Sequence, residues 1–381
     1  MQKSPKKKLQ PAQLFSFILF LLIGGLGGYW MGRSLVRYSE ALSTLPMAVV
    51  LVSLLLLFFL ALYAQMILHE AGHLVFGLLT GYRFCSFRVG SLMLVKEDGR
   101  LRLKSFSLAG TGGQCIMLPP KRSAEERFPF VWYNLGGALM NFVSGALFLL
   151  LYLFVSLHPF VSAFFGALAA TGFALGLMNA IPLRFALLDN DGSNIRLLQK
   201  DPQAANAFYW MLDIHGQLAG GLRLRDMPES WFVTPDGADT KNAIISTIEV
   251  YAINRLMDCQ DFTAAAARIR ALFASEAAIN GIHRNLLRCD LAYCCLLLDD
   301  ADAAKQELDE PLKKFMHSMK RFPSVLRTQY AGALLLDHDP AKADAILANF
   351  NRMAKKYPYA SDIESERDLI QTAQQRHTQS E

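Results

Sequence analysis

The sequence predicts a mainly α-helical fold: a polytopic membrane bundle of about four transmembrane helices, a small β-hairpin or sheet inserted in it, and a C-terminal cytosolic α-helical repeat domain. Three observations predict this. Nearly all the long apolar runs lie before residue 184, alternating apolar residues flank Asp98-Gly99 between two of those runs, and an alanine-rich, charged sequence follows residue 200. A chain of 381 residues has room for two or three domains. Composition puts a membrane-embedded domain at 1–200 and a helical-repeat domain at 201–381.

Four stretches are long and apolar enough to cross a hydrocarbon core about 30 Å thick: Leu14 to Gly32, Met47 to Gly81, Phe128 to Leu157 and Phe160 to Leu183. The first follows "KSPKKK" and has a longer apolar part than a signal peptide, so it is expected to be an anchor. Four Lys or Arg precede residue 14, nine lie between 82 and 127, and three between 184 and 200, against only Arg33 and Arg37 on the other side. Positive charge favours the inside, which puts both termini and the 82–127 loop in the cytosol. The expected location is the plasma membrane of a bacterium, in contact with membrane lipid. That bias explains the net charge of +5, and no basic, aromatic-interleaved surface argues for nucleic acid. The six cysteines all fall on the cytosolic side, where reduced thiols are the default, and none has C-x-x-C spacing.

Between the second and third spans, "LMLVKEDGRLRLKSFSL" alternates apolar and polar residues about Asp98-Gly99, a two-residue hairpin signal. The connections are too short to hold a further folded module. After residue 200 three turns look alike, "DCQDFTAAAARI", "LDDADAAKQEL" and "LDHDPAKADAIL", at intervals near 40 residues. Each joins a leucine-rich helix to an alanine-rich one, and together they resemble tetratricopeptide-like helical hairpins.

The second span carries "MILHEAGHLVFGLL". On a helix His69 and His73 are four residues apart, so both imidazoles project from one face and can reach one ion. Glu70 lies beside that ion. In an H-E-x-x-H helix the histidines hold zinc and the glutamate takes a proton from the attacking water. A charged carboxylate in hydrocarbon is costly unless paired, metal-bound or wetted. The roughly 22 residues from Met47 to Leu68 already cover about 33 Å, which places the cluster near the cytosolic end of its span. A hydrolytic zinc site wants a third protein ligand and one open position. The fourth span ends in "MNAIPLRFALLDNDGSNI", where Pro182 breaks the helix and either Asp189 or Asp191 can supply an oxygen.

HEAGH in a membrane helix, "GGALMN" (Gly136 to Asn141) in the next, and "NAIP" followed by "NDG" in the last resemble the site-2 protease family of intramembrane zinc metalloproteases over roughly Leu45 to Ile195. The resemblance implies that His69, His73 and one aspartate bind zinc and that Glu70 is the general base. The family's aspartate sits in a D-G pair, here Asp191-Gly192, with glycine at positive φ expected to make the turn. The nine steps from Pro182 to Asp191 exceed those of many relatives and keep Asp189 as the alternative ligand. The resemblance further implies that Asn141 and Asn179 orient substrate or stabilise the oxyanion. On spacing alone Gly136 and Gly137 let helices approach. It also implies a membrane-associated sheet beside the site, with "GTGGQCIM" as its glycine-rich edge.

The function expected on these grounds is hydrolysis of a peptide bond in or near a transmembrane segment of a membrane protein or peptide precursor. Zinc would be the cofactor, and a cytosolic protein could dock on the repeats. The rival is a catalytically silent adaptor of the same fold. A metal-ion transporter would need ionisable residues along several spans, and the other spans have almost none.

Overall fold

The computed structural model describes residues 21–380 apart from 22, 23, 26, 31, 38–42, 98, 107–111, 123–128, 157, 183–189 and 236. It is mainly helical with one four-stranded sheet. Two compact units make it up: residues 1–82, 111–115 and 122–196 form the first, and residues 83–110, 116–121 and 197–381 the second. Composition draws the boundary at residue 200 and leaves the sheet with the membrane half. The sheet's residues group instead with the C-terminal helices, because Cys85, Met93, Val95 and Ile116 share a buried core with Val250, Ile269 and Leu291.

In the first unit three helices are long and apolar enough to cross a membrane: α1 (Met47–Leu79), α2 (Phe130–Phe154) and α3 (Pro159–Ala180). Prolines at or just before their first turns start all three, since a missing N–H costs nothing there. The expected first span lies largely outside the described residues, although positions 27–30 and 32–37 are helical and Trp30 packs with Val50, Leu54 and Ala167. Glycines let the helices close up. A Cβ on Gly72 would sit 2.3 Å from the Gly136 carbonyl oxygen, and one on Gly136 2.6 Å from that of Gly72, so α1 and α2 cross backbone to backbone. Leu51, Val52, Leu55, Leu56 and Phe59 stay exposed on α1, an apolar surface suited to lipid.

The second unit holds β1 (Arg83–Val89), β2 (Leu92–Glu97), β3 (Arg100–Ser105) and the end of β4 (Gly113–Leu118), in the order β3-β2-β1-β4. Glu97 pairs with Arg100, so the turn falls at 98–99 as the D-G signal predicts, with Gly99 at φ 75°. Asp98 itself lies outside the described residues. Met93 and Val95 face the core while Leu92, Leu94, Leu101 and Leu103 face out.

The helices that follow include α4 (Asp191–Lys200), which begins in the first unit, α5 (Pro202–Ala219), α6 (Ala243–Asp258), α7 (Phe262–Ala274), α8 (Gly281–Leu297), α9 (Ala301–Glu307), α10 (Glu310–Ser318), α11 (Pro323–Ala331), α12 (Pro340–Ala354) and α13 (Ala360–Ser380). A π-helical turn at Gly332–Leu336 continues α11. The three look-alike turns share one backbone. Each has a non-glycine residue at positive φ, Gln260 (61°), Asp299 (62°) and His338 (52°), a constant interval of 39 positions. Each is followed by an aspartate, Asp261, Asp300 or Asp339, whose carboxylate accepts from the amide three residues on. Two buried arginines tie distant helices: Arg327 pairs with Asp290 and with Glu366 at 3.0 Å, under the Tyr293 ring, and Arg223 bridges Asp258 and Asp368.

A left-handed residue with a side chain costs about 1–2 kcal/mol, which glycine avoids at some loss of unfolded-chain entropy. Gln260→Gly is therefore expected to stabilise the chain by about 0.5–1 kcal/mol, and Gln260→Ala to give no such gain. Denaturation midpoints of the detergent-solubilised chain check this.

Candidate metal centre

Helical spacing brings the two imidazoles of α1 together edge to face, with centroids 4.8 Å apart and planes at 88°. Their Nε2 atoms are 3.2 Å apart. Asp191, the first residue of α4, completes a triangle, with Oδ2 3.2 Å from His69 Nε2 and 3.5 Å from His73 Nε2. The opposite ring nitrogens are occupied. His69 Nδ1–H donates to Asn141 Oδ1 and His73 Nδ1–H to the carbonyl oxygen of Tyr133, both at 2.8 Å. Each Nε2 therefore turns a lone pair to the same point as Asp191 Oδ2, which is buried without a hydrogen-bond partner.

Three acceptor atoms facing one another in an apolar bundle repel unless a cation lies among them. Ligand atoms about 2.0–2.1 Å from one tetrahedral ion are about 3.3 Å apart, which the triangle's three edges match. Among the described residues this is the group of three ionisable side chains that could hold an ion.

Several features hold the triangle in place. A Cβ on Gly137 would lie 2.5 Å from His69 Cε1 and 2.6 Å from His73 Nε2, so the glycine leaves the space the rings occupy as well as easing helix approach. Asn190 donates to the Met178 and Ile181 carbonyls at 2.6 and 2.7 Å and accepts from Ser193 N at 2.9 Å, capping α4 and fastening it to the end of α3. Gly192 is not at positive φ, contrary to the expectation. It lies within α4, where a Cβ would come 2.5 Å from the Ala180 carbonyl oxygen, so close approach is its reason. Asp189 lies outside the described residues.

Glu70 is buried next to His69, with its carboxylate against the backbone of Gly113 at the start of β4, where a Cβ would meet Glu70 Oε1 at 2.5 Å. Asn141 is fully buried and reaches His69 rather than the open side of the triangle, and its Nδ2 donates to Gln65. Asn179 donates to Leu175 O at 3.0 Å on its own helix. Sequence reasoning missed the Tyr133 carbonyl, which carries no residue signature, and Asn190 and Gln65. Gln65 had a signal, as a lone amide in an apolar run one turn before His69.

Residues 57–171 match the model of peptidase family M50. The match is less than a third of the chain and contains His69, Glu70, His73 and Asn141, whereas Asn179 and Asp191 lie beyond it. An M50 segment implies a metalloprotease, and with three membrane-length apolar helices it fits a membrane protein. No curated protein and no solved structure matches the chain.

Gly137→Ala is expected to force both imidazoles aside and to lower metal content at least tenfold. Gly28→Ala, whose Cβ would meet nothing within 4 Å, is expected to change nothing. Elemental analysis of the two purified variants is the check.

Proposed function

We propose that the chain is an intramembrane zinc endopeptidase that hydrolyses a peptide bond in or near a transmembrane segment of a membrane protein or peptide precursor. The observation that carries this reading is the triangle of His69 Nε2, His73 Nε2 and Asp191 Oδ2 at the spacing of a tetrahedral ion. Zinc bound there supplies a Lewis acid that polarises the scissile carbonyl and acidifies the attacking water. His69 and His73 present their Nε2 lone pairs, held by Asn141 and the Tyr133 carbonyl. Asp191 supplies the third bond and leaves a fourth position for water or substrate. Glu70, buried and adjacent to His69 in the chain, accepts the proton of the attacking water and returns it to the leaving amine.

Around this centre we place both termini and the 82–127 loop in the cytosol of a bacterial cell, supported by the count of sixteen basic residues against two. We read the hairpins of the second unit as tetratricopeptide-like repeats that dock a cytosolic protein, supported by their 39-residue periodicity. The adaptor reading differs at one point, since it needs no proton acceptor at Glu70.

Purified chain is expected to carry about one zinc, and His69→Ala with His73→Ala to remove it. Asp191→Asn should lose most of the affinity and Asp189→Asn little. Glu70→Gln should keep zinc and fold yet lose cleavage, because an amide takes no proton. The readouts are zinc per chain and the membrane peptides that accumulate uncleaved in cells carrying Glu70→Gln. Full zinc in the double histidine variant sinks the centre, and an unchanged peptide profile with Glu70→Gln hands the function to the adaptor.

Reporter fusions test topology separately. One after residue 200 and one inside the 82–127 loop should both report cytosol, and an outer-face signal from either reverses the assignment.

A further inference from the structure

Gln65 is fully buried in α1, one turn before His69, and its amide joins all three helices of the first unit. Its Nε2 donates to the Leu168 carbonyl of α3 at 2.9 Å. Its Oε1 accepts from Asn141 Nδ2 at 2.9 Å and from Ser144 Oγ at 3.1 Å, both on α2. Its backbone oxygen accepts from the same Asn141 Nδ2, also at 2.9 Å. Gly172 makes room, because a Cβ there would lie 2.7 Å from Gln65 Nε2.

We infer that Gln65 is a positioning residue that sets which nitrogen of His69 faces the metal, an inference resting on the zinc reading above. The logic runs through donors and acceptors. The Leu168 carbonyl only accepts, so the Gln65 NH2 must face it and Oε1 must face α2. Both protons of Asn141 Nδ2 then meet oxygens of Gln65, which leaves only Oδ1 to face His69. An acceptor beside Nδ1 holds the proton on Nδ1 and the lone pair on Nε2. With Asn141 turned over, its NH2 would meet Nδ1 and the proton would move to Nε2, the atom that must ligate. Reversing any amide in the chain leaves buried groups unpaired in an apolar bundle, so one carbonyl on α3 fixes the tautomer of a ligand on α1.

The experiment measures zinc affinity of the detergent-solubilised full chain by chelator competition, together with the visible spectrum of the cobalt-loaded form. Gln65→Met, of similar volume and without the amide, is expected to weaken zinc about ten- to hundredfold and to change the cobalt spectrum. In an Asn141→Ala background the same change should add less than twofold, because Gln65 acts through Asn141. Ser144→Ala, which removes another bond to Gln65 and one to the Asn141 backbone carbonyl but leaves the Asn141 side chain its partners, should stay within about twofold. Gln65→Glu keeps the shape if the Met variant fails to fold. In its protonated form it reproduces both the donor and the acceptor, and ionised it can only accept. Its affinity relative to the native chain at the same pH should therefore fall as the pH is raised and the carboxyl ionises. Native affinity in Gln65→Met, full independence from Asn141, or a flat Gln65→Glu profile overturns the inference while zinc in the native chain stands. A native chain that binds no zinc overturns both readings.

Discussion

Convergence of three lone-pair-bearing atoms within an apolar helix bundle is the constraint around which the first unit is organised. His69 Nε2, His73 Nε2 and Asp191 Oδ2 lie 3.2–3.5 Å apart, and none can donate to another without giving up its role. Each must therefore be held from behind. The Tyr133 carbonyl and Asn141 do this for the imidazoles, and Asn190 does it for Asp191 by fastening α4 to the end of α3. Those supports come within reach only because α1 and α2 touch through Gly72 and Gly136, and because Gly192 lets α4 lie on the Ala180 carbonyl. Packing glycines and polar supports thus serve one geometric end. Loss of a glycine here acts on the centre, whereas elsewhere it would act mainly on stability.

What the sequence makes legible follows from what each signal encodes. HEAGH is legible because helical spacing alone brings residues 69 and 73 to one face, and the apolar runs are legible because hydrocarbon imposes a length. The three repeated turns are legible because capping aspartates must recur in register. Other parts depend on information that residue type does not carry. Asn141 is singled out by its motif, but its contact with His69 depends on a rotamer that the neighbouring oxygens of Gln65 set, which residue type does not carry. Gly192 suggests a left-handed turn, whereas a neighbouring helix end demands it. Alternation in Met93 and Val95 says that one face of the sheet is buried, without saying which helices bury it.

Helix ends bound the position of the centre along the bundle. α1 has 33 residues, about 50 Å, far more than the hydrocarbon needs, while α2 and α3 with 25 and 22 match it. His69 is ten residues from the end of α1 at Leu79, and Asn141 is eleven from the start of α2 at Phe130, about 15 and 16 Å along helices that share that end of the bundle. Measured along the helices, the centre is set back about 15 Å from that shared end. The start of β4 brings backbone to this depth, with Gly113 against the Glu70 carboxylate. Irregular or strand backbone at such a depth survives only where its N–H and C=O groups are paired or line a wet cavity. A strand end placed against the buried Glu70 carboxylate gives both groups a polar neighbour in an otherwise apolar bundle.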